Sequence, residues 1–151
     1  MQSLLLVMQR EQGLCDQAQA ALQRAEDVLR HARQQCDGLL AHRSEYEAHW
    51  TAQFQQGASM DILRCYRSFM QRLEQAVLLQ TRQVAMADRQ RTQARRDLLE
   101  SERRLASVRK LLQRRLDEQA QIGRQREQKQ TDEQAQRLHR QPGGFEQPLP
   151  Q

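Results

Sequence analysis

Proline is absent from residues 1–141, and aromatic residues make up only 4% of the chain. Without proline, no residue in that stretch lacks a backbone N–H or stops a helix by ring clash. With few aromatics and only 38% apolar residues, the chain has little material for the several contiguous apolar faces that a compact core requires. The abundant residues are instead Ala, Leu, Gln, Glu and Arg, a composition typical of coiled coils and long helices.

Long hydrophobic runs are also missing. The apolar run at residues 4–8 is far shorter than the roughly 20 residues that a membrane-spanning helix needs. It also lacks the basic start and small-residue cleavage site of a signal peptide. Cys15, Cys36 and Cys65 show no CxxC spacing, which argues against a disulfide framework or a zinc site. We therefore expect free thiols in a cytoplasmic protein.

Motifs for catalysis are absent as well. The chain has no GxxxxGKS/T loop for nucleotides and no serine in a GxSxG context. His42 and His49 share a helix face near Glu45 and are candidate weak metal ligands, but histidines on a solvated helix face are the ordinary explanation. The sequence therefore predicts a protein that is not an enzyme and uses no cofactor, metal or small-molecule substrate.

Positive charge is concentrated in the second half of the chain. Residues 1–88 hold 9 basic and 10 acidic side chains, whereas residues 89–140 hold 15 and 8. This distribution favours acidic partners. Its arginine pairs could contact phosphates, but no aromatic residues are interleaved to stack on bases. Glu100 lies four residues before Arg104, the spacing of a helical ion pair, so a solvated helix surface is favoured over nucleic-acid binding.

A 3-4 spacing of apolar residues runs through the second half for eight heptads. Such a repeat predicts a coiled coil with a left-handed supercoil. The polar residues Gln80, Arg91 and Ser101 interrupt the stripe and can fix its register at some cost in stability. The a positions are Leu63, Met70, Val77, Val84, Arg91, Leu98, Leu105 and Leu112, and the d positions are Tyr66, Leu73, Gln80, Ala87, Ala94, Ser101, Val108 and Arg115.

The first half also predicts a helix, with a less regular stripe. Two registers meet near residues 21–22, and we expect the supercoil to change there. The first register is Val7, Glu11, Leu14, Ala18 and Ala21, and the second is Leu22, Ala25, Leu29, Ala32, Cys36, Leu39, Arg43, Tyr46 and Trp50.

Residues 55–61 predict a tight connection between the two helices. Gly57 can take the left-handed conformation that closes a helix C-terminus. Ser59 can cap the next helix, and Asp61 suits the dipole of its first turn. A loop this short makes the two helices antiparallel neighbours.

Antiparallel pairing around this loop predicts which residues face one another, because facing residue numbers then add up to about 115. Aromatic residues at the loop end could close the core there or form a contact surface for a partner. Both can hold, because a two-helix coil is too thin to bury them completely. The predicted facing sets are Trp50 with Tyr66, Tyr46 with Phe69 and Met70, Leu39 with Ala76 and Val77, and Val7 with Val108.

The predicted fold is therefore all-α, a long antiparallel two-helix coiled-coil hairpin with an overhanging C-terminal helix. We expect a hairpin domain at residues 1–140, with helices at about 3–55 and about 60–140 and a loop at about 56–59. Residues 113–140 overhang by on the order of 40 Å. A lone polar helix is marginal in water, so we expect it to fray when free, and the Pro/Gly-rich tail 141–151 to be disordered.

Two stretches beside the loop carry the most distinctive spacing of the chain. LLAHRSEY at residues 39–46 precedes Gly57, and YRSFMQRLEQA at residues 66–76 follows it. Together with the leading leucine cluster and QKQTDEQA at residues 128–135, they resemble the flagellar export protein FliJ family over residues 1–140. The stalk proteins of injectisome-type secretion systems are similar in shape.

The resemblance implies a cytoplasmic component of the flagellar type III export apparatus, placed at the cytoplasmic face of the inner membrane. Proteins of this family look like the central stalk of rotary ATPases. Their paired helix ends enter the pore of the hexameric export ATPase, of the FliI type, and their hairpin end contacts the linker of the export gate protein FlhA. They are also associated with export chaperones. Such a chain would couple the ATPase to the gate without doing chemistry itself.

The resemblance also implies which residues make these contacts. His42 stands where the family usually has tyrosine, and Gln80 where it usually has histidine. Leu39, Leu73 and Ala76 also lie on or beside the intrachain stripe, so Tyr46 and Phe69 are the better candidates for exposed contacts. The gate-binding set is Gln35, Leu39, His42, Tyr46, Phe69, Leu73, Ala76 and Gln80. The basic residues expected to face the ATPase are Arg103, Arg104, Arg109, Lys110, Arg114 and Arg115.

Three hypotheses make different predictions for the free chain. A stalk protein, of flagellar or injectisome type, is a monomeric rod that joins a hexameric ATPase. A generic structural coiled coil self-associates, because its apolar stripe then pairs between chains. A nucleic-acid or membrane-surface binder shows a steep salt dependence and no preference for export proteins.

Overall fold

The computed structural model describes residues 1–141, which form two α-helices and no β-strand. Helix α1 spans Gln2–Gln55 and helix α2 spans Met60–Arg140. These two helices confirm the predicted all-α hairpin. The chain divides into two structural units: a hairpin unit, Gln9–Leu105, and a terminal unit, Met1–Met8 with Ala106–Gln151.

The loop between the helices has the conformation that its residues favour. Gly57 has a φ of 94°, in the left-handed region where a side chain would be strained. The Gly57 N–H donates to the carbonyl of Phe54 at 3.2 Å, which satisfies one of the last carbonyls of α1. The Ser59 hydroxyl accepts a bond from the N–H of Ile62 at 3.4 Å and thereby caps α2. The predicted roles of Gly57 and Ser59 are confirmed.

In the hairpin unit, α2 turns its predicted heptad stripe inward. Met70, Leu73, Ala87 and Leu105 are buried, and the other a and d positions between residues 63 and 105 are half-buried. A side chain every three or four residues lies on one helix face, so a continuous seam forms. The register predicted for α2 is confirmed in this unit.

The α1 side of the seam differs from the prediction, because its register does not change. Cys15 is only 6% exposed and continues the seam between Glu11 and Ala18, which are both half-buried, and Leu22 follows in the same spacing. The predicted shift near residues 21–22 is therefore wrong. Leu14 and Ala21 only flank the seam. Cys15, which packs as a small hydrophobic residue, takes the seam position between Glu11 and Ala18.

Contacts between the helices confirm the predicted antiparallel pairing at the aromatic end. The rings of Tyr46 and Phe69 stack with their centroids 4.4 Å apart, and those of Trp50 and Tyr66 lie 5.6 Å apart. Rings at these separations attract one another beyond the area they bury. The hairpin unit is therefore closed at its loop end by ring contacts across the seam.

Polar contacts also join the helices further from the loop. The Gln80 amide Nε2 donates to the carbonyl of Ala32 at 3.0 Å and to Gln35 Oε1 at 3.3 Å. On the surface, a guanidinium nitrogen of Arg33 lies 3.9 Å from an Asp88 carboxylate oxygen. In this register the Gln80 amide has both of its partners on α1, whereas the exposed Arg33–Asp88 ion pair contributes little. Gln80 is therefore a register marker inside the seam.

In the terminal unit, burial is confined to a few residues. Leu4 is buried and Met8, Val108 and Leu112 are half-buried. Val7 is 43% exposed, so its predicted place opposite Val108 is wrong; Leu4 and Met8 take the inward positions of this turn. The reason is spacing, because four-residue separation puts Leu4 and Met8 on one face of the helix.

Residues 113–140 are helical although every one of them is exposed. That this helix frays when the chain is free stays a prediction. Helix-forming Gln, Glu, Arg and Leu predominate here, and side chains four residues apart support the helix: Gln113 Nε2 donates to Asp117 Oδ1 at 3.0 Å. The predicted disorder of residues 141–151 falls, beyond Gln141, outside the described residues.

Candidate partner-binding surfaces

The eight residues predicted to bind the gate protein all lie in the hairpin unit, and we call them the gate patch. At its centre, the stacked Tyr46 and Phe69 are each 37% exposed. Aromatic residues that keep this much surface in water can serve as interface anchors. The patch is therefore built around one half-exposed ring pair that both helices supply.

The other members of the gate patch differ in accessibility. Leu73 is only 9% exposed and belongs to the seam, so it offers little surface to a partner. Leu39 and Ala76 are half-buried. Gln35 is exposed and is bonded to the half-buried Gln80 at 3.3 Å. The two glutamines thus form one edge of the patch as a hydrogen-bonded pair.

His42 is exposed at the margin of the gate patch. Its Nδ1 lies 4.0 Å from Glu45 Oε2, three residues further along the helix. Neither group is enclosed, and the described residues contain no cluster of His, Cys, Asp or Glu that would hold a metal ion. In this structure His42 is a polar surface residue that a partner could reach.

A wider aromatic cluster supports the loop end of the patch. Trp50 contacts Phe54 at 5.8 Å, and Phe54 contacts Tyr66 edge-to-face at 5.3 Å. The predicted facing sets include Trp50 and Tyr66 but not Phe54. The signal was present, since residues 46, 50 and 54 are spaced four apart on one helix face. The indole N–H of Trp50 is covered and has no acceptor among the described residues.

The six basic residues predicted to face the ATPase lie on α2 and are divided between the two units. In the hairpin unit, Arg104 donates to Glu100 at 2.6 Å, the helical ion pair expected from their spacing. In the terminal unit, Lys110, Arg114 and Arg115 are exposed and form no ion pair with any described residue. Their charges are therefore available to a partner. Arg103 and Arg109, the remaining two, each have an interaction partner within the chain.

The described helices contain no segment apolar enough to span a membrane.

Comparison with known proteins gives one family. The model of the flagellar FliJ protein family matches residues 1–144 of the 151-residue chain. No curated protein and no solved structure gives a match in the corresponding comparisons. The match covers both helices and the loop between them, including the ring pair at the centre of the gate patch. The chain therefore belongs to the flagellar FliJ protein family, and it is a protein related to flagellar export.

Proposed function

We propose that this chain is a non-enzymatic coupling component of flagellar protein export. It binds the pore of the hexameric export ATPase with the basic part of α2 and the export gate protein, of the FlhA type, with the gate patch. The single observation that supports this most strongly is the Tyr46–Phe69 pair, stacked yet 37% exposed on each ring. Its work is mechanical: it joins two partners and catalyses nothing.

The exposed aromatic residues Tyr46 and Phe69 support the gate contact. Binding energy in interfaces concentrates in a few aromatic residues that become fully desolvated when the partner seats. Tyr46 and Phe69 are held in place by their mutual stacking and by the seam beneath them, so little side-chain freedom is lost on binding. The gate patch is preorganised for a partner segment that covers both rings.

The ATPase contact is argued from charge. Lys110, Arg114 and Arg115 are exposed and unpaired within the described residues, and the surrounding residues 89–140 carry a clear excess of basic side chains. Such a surface attracts an acidic pore lining and speeds association with it. The family match favours the flagellar system over the injectisome alternative.

In this proposal the chain works at the cytoplasmic face of the inner membrane, where its protein partners hold it. Export chaperones are further partners of the same exposed helices. Neither nucleic acid nor a small-molecule substrate takes part. Its location therefore depends on protein contacts, and loss of the gate protein releases it from the membrane fraction.

The gate contact is tested by binding of the full chain to the purified cytoplasmic region of the gate protein. We expect Tyr46→Ala and Phe69→Ala each to weaken binding by about tenfold or more, the size of a typical hot-spot loss. Leu78→Ala is the matched control, because Leu78 is an exposed apolar residue of α2, the helix that carries Phe69, and lies outside the patch. Equal binding by wild type and both ring variants would remove the gate contact from the proposal.

The ATPase contact is tested by analytical ultracentrifugation with the export ATPase and a non-hydrolysable nucleotide. We expect one copy of the chain per ATPase hexamer. The triple variant Lys110→Glu, Arg114→Glu, Arg115→Glu should lose this association, and rising salt should weaken the wild-type association. A chain that forms a stable dimer and ignores the ATPase would leave only the self-associating coiled coil.

A further inference from the structure

A groove lies beside the stacked ring pair, and we call it the tip groove. It has a volume of about 530 Å³ and is open to solvent along the surface of the hairpin unit. Tyr46 and Phe69 form part of its wall, and Trp50 from α1 completes the aromatic side. Trp50 and Tyr66 rings are in contact behind it. This side of the groove is a rigid apolar surface of the kind that receives one large side chain.

The tip groove also has a basic lining. Arg64 and Arg72 line it, with Cys65 and Ser68 between them on α2. A guanidinium nitrogen of Arg72 donates to Ser68 Oγ at 3.3 Å, which holds that arginine over the groove. Neither arginine forms an ion pair with any described residue. Two unpaired guanidinium groups therefore border an aromatic surface.

Among the described residues, no carboxylate lines the tip groove. Glu45 and His49 line an adjoining depression together with Tyr46 and Trp50. An excess of positive charge along one groove selects a ligand of opposite sign, and unpaired arginines bind carboxylates through two parallel hydrogen bonds. The groove thus combines an aromatic surface that can bind an apolar side chain with arginines that can bind carboxylates.

We propose that the tip groove binds an acidic peptide segment in which one large apolar side chain is flanked by carboxylates. The apolar side chain packs against Tyr46, Trp50 and Phe69, and the carboxylates pair with Arg64 and Arg72. The proposal rests on the proposed function, because it names the chemistry of the segment that covers the gate patch. It extends that contact to four residues of α2 outside the patch: Arg64, Cys65, Ser68 and Arg72.

Trp50 provides a direct measurement, because it is the only tryptophan in the chain. The full chain is titrated with three tryptophan-free synthetic peptides while the intrinsic fluorescence is recorded. The first has the sequence EDLFED, the second is its neutral counterpart QNLFQN, and the third, EDAAED, lacks the apolar anchor. We expect saturable binding of the first only, weakened by salt. No response to EDLFED, or equal responses to EDLFED and QNLFQN, would overturn the proposal.

The location of the site is tested with a charge-matched pair of double variants. Arg64→Gln with Arg72→Gln should weaken EDLFED binding by about tenfold or more, since charge-assisted bonds are lost. Arg67→Gln with Arg82→Gln removes the same charge from exposed positions of α2 outside the groove and should leave binding within about twofold of wild type. Equal losses in both would show a general charge effect and overturn the groove site.

Two further outcomes separate this proposal from the broader one. If the Arg64/Arg72 variant binds the gate protein as wild type does while Tyr46→Ala does not, the acidic-segment proposal fails and the gate contact stands. If Tyr46→Ala and Phe69→Ala both bind as wild type does, the gate contact itself fails. Binding of phosphatidylserine vesicles at the same arginines, without binding of EDLFED, would replace the peptide with a lipid surface and overturn the proposal.

Discussion

At the residue scale, Glu11 is the least favourable member of the seam. It is half-buried between inward-facing neighbours, and its Oε2 is covered and has no hydrogen-bond partner among the described residues. A covered polar oxygen without a partner loses its bonds to water and gains nothing in return. The native seam is therefore less stable at this position than an apolar residue would make it.

Replacement of Glu11 should consequently stabilise the hairpin. We expect Glu11→Leu to raise the free energy of unfolding by about 1–3 kcal/mol, measured by urea unfolding followed by circular dichroism. Glu47→Leu makes the same change at an exposed position of the same helix and should alter stability by no more than about 0.5 kcal/mol. Destabilisation by Glu11→Leu would mean that the carboxylate finds a partner in solution.

The glycines offer a residue-scale test of the loop. Gly57 has a φ of 94° and nothing within 4 Å of an added Cβ, and Gly38, inside α1, likewise has open space around it. An added methyl group therefore meets no other residue at either glycine, and the two positions differ only in backbone conformation. We expect Gly57→Ala to destabilise the hairpin by about 1–2 kcal/mol and Gly38→Ala to stabilise it by about 0.5–1 kcal/mol. The same urea unfolding measures both; stabilisation by Gly57→Ala would argue against the left-handed closure of α1.

At the element scale, helix α2 changes character along its length. Between residues 63 and 105 it packs against α1 through a continuous seam, whereas residues 113–140 have no buried side chain. Helical hydrogen bonds alone give little protection, because most helical stability in proteins comes from packing. The two parts of one helix should therefore open with very different free energies.

Hydrogen exchange measures this difference directly. We expect amides of residues 113–140 to exchange much faster than those of residues 70–105, since local opening there costs almost no packing. The seam part of the same helix is the internal control. Equal protection along α2 would indicate that residues 113–140 are covered in solution by another chain. Protection that appears only after the export ATPase is added would support the proposed ATPase contact.

Sequence reasoning located the elements because two strong patterns agreed. The heptad stripe of α2 and the loop chemistry of Gly57 and Ser59 depend on local spacing and backbone preference, which a single sequence displays. It failed on part of α1, where Met8 and Cys15 occupy the inward positions that had been assigned to Val7 and Leu14, although Glu11 was placed correctly. The tip groove could not be predicted either, because Arg64 and Arg72 of α2 line a groove only together with Trp50 of α1.

At the scale of the whole molecule, the main question is whether the seam stays within one chain. An apolar stripe of this length can also pair with a second copy of the chain. A polar seam residue that finds its hydrogen-bond partners in one register disfavours the registers in which it lacks them. Gln80 fills this role through its bonds to the Ala32 carbonyl and Gln35. In a shifted register, or where two α2 helices pair, its amide would be covered without those partners.

Loss of this amide should therefore change the oligomeric state more than the helix content. We expect wild type to sediment as a monomer and Gln80→Leu to form a concentration-dependent dimer, with unchanged helical circular dichroism, in sedimentation velocity runs across a range of concentrations. Gln75→Leu, at an exposed position of the same helix, adds an equal apolar group outside the seam and should remain monomeric. Dimers of both variants would indicate nonspecific association through the added leucine. A monomeric Gln80→Leu would show that the loop and the aromatic contacts suffice to keep the seam within one chain.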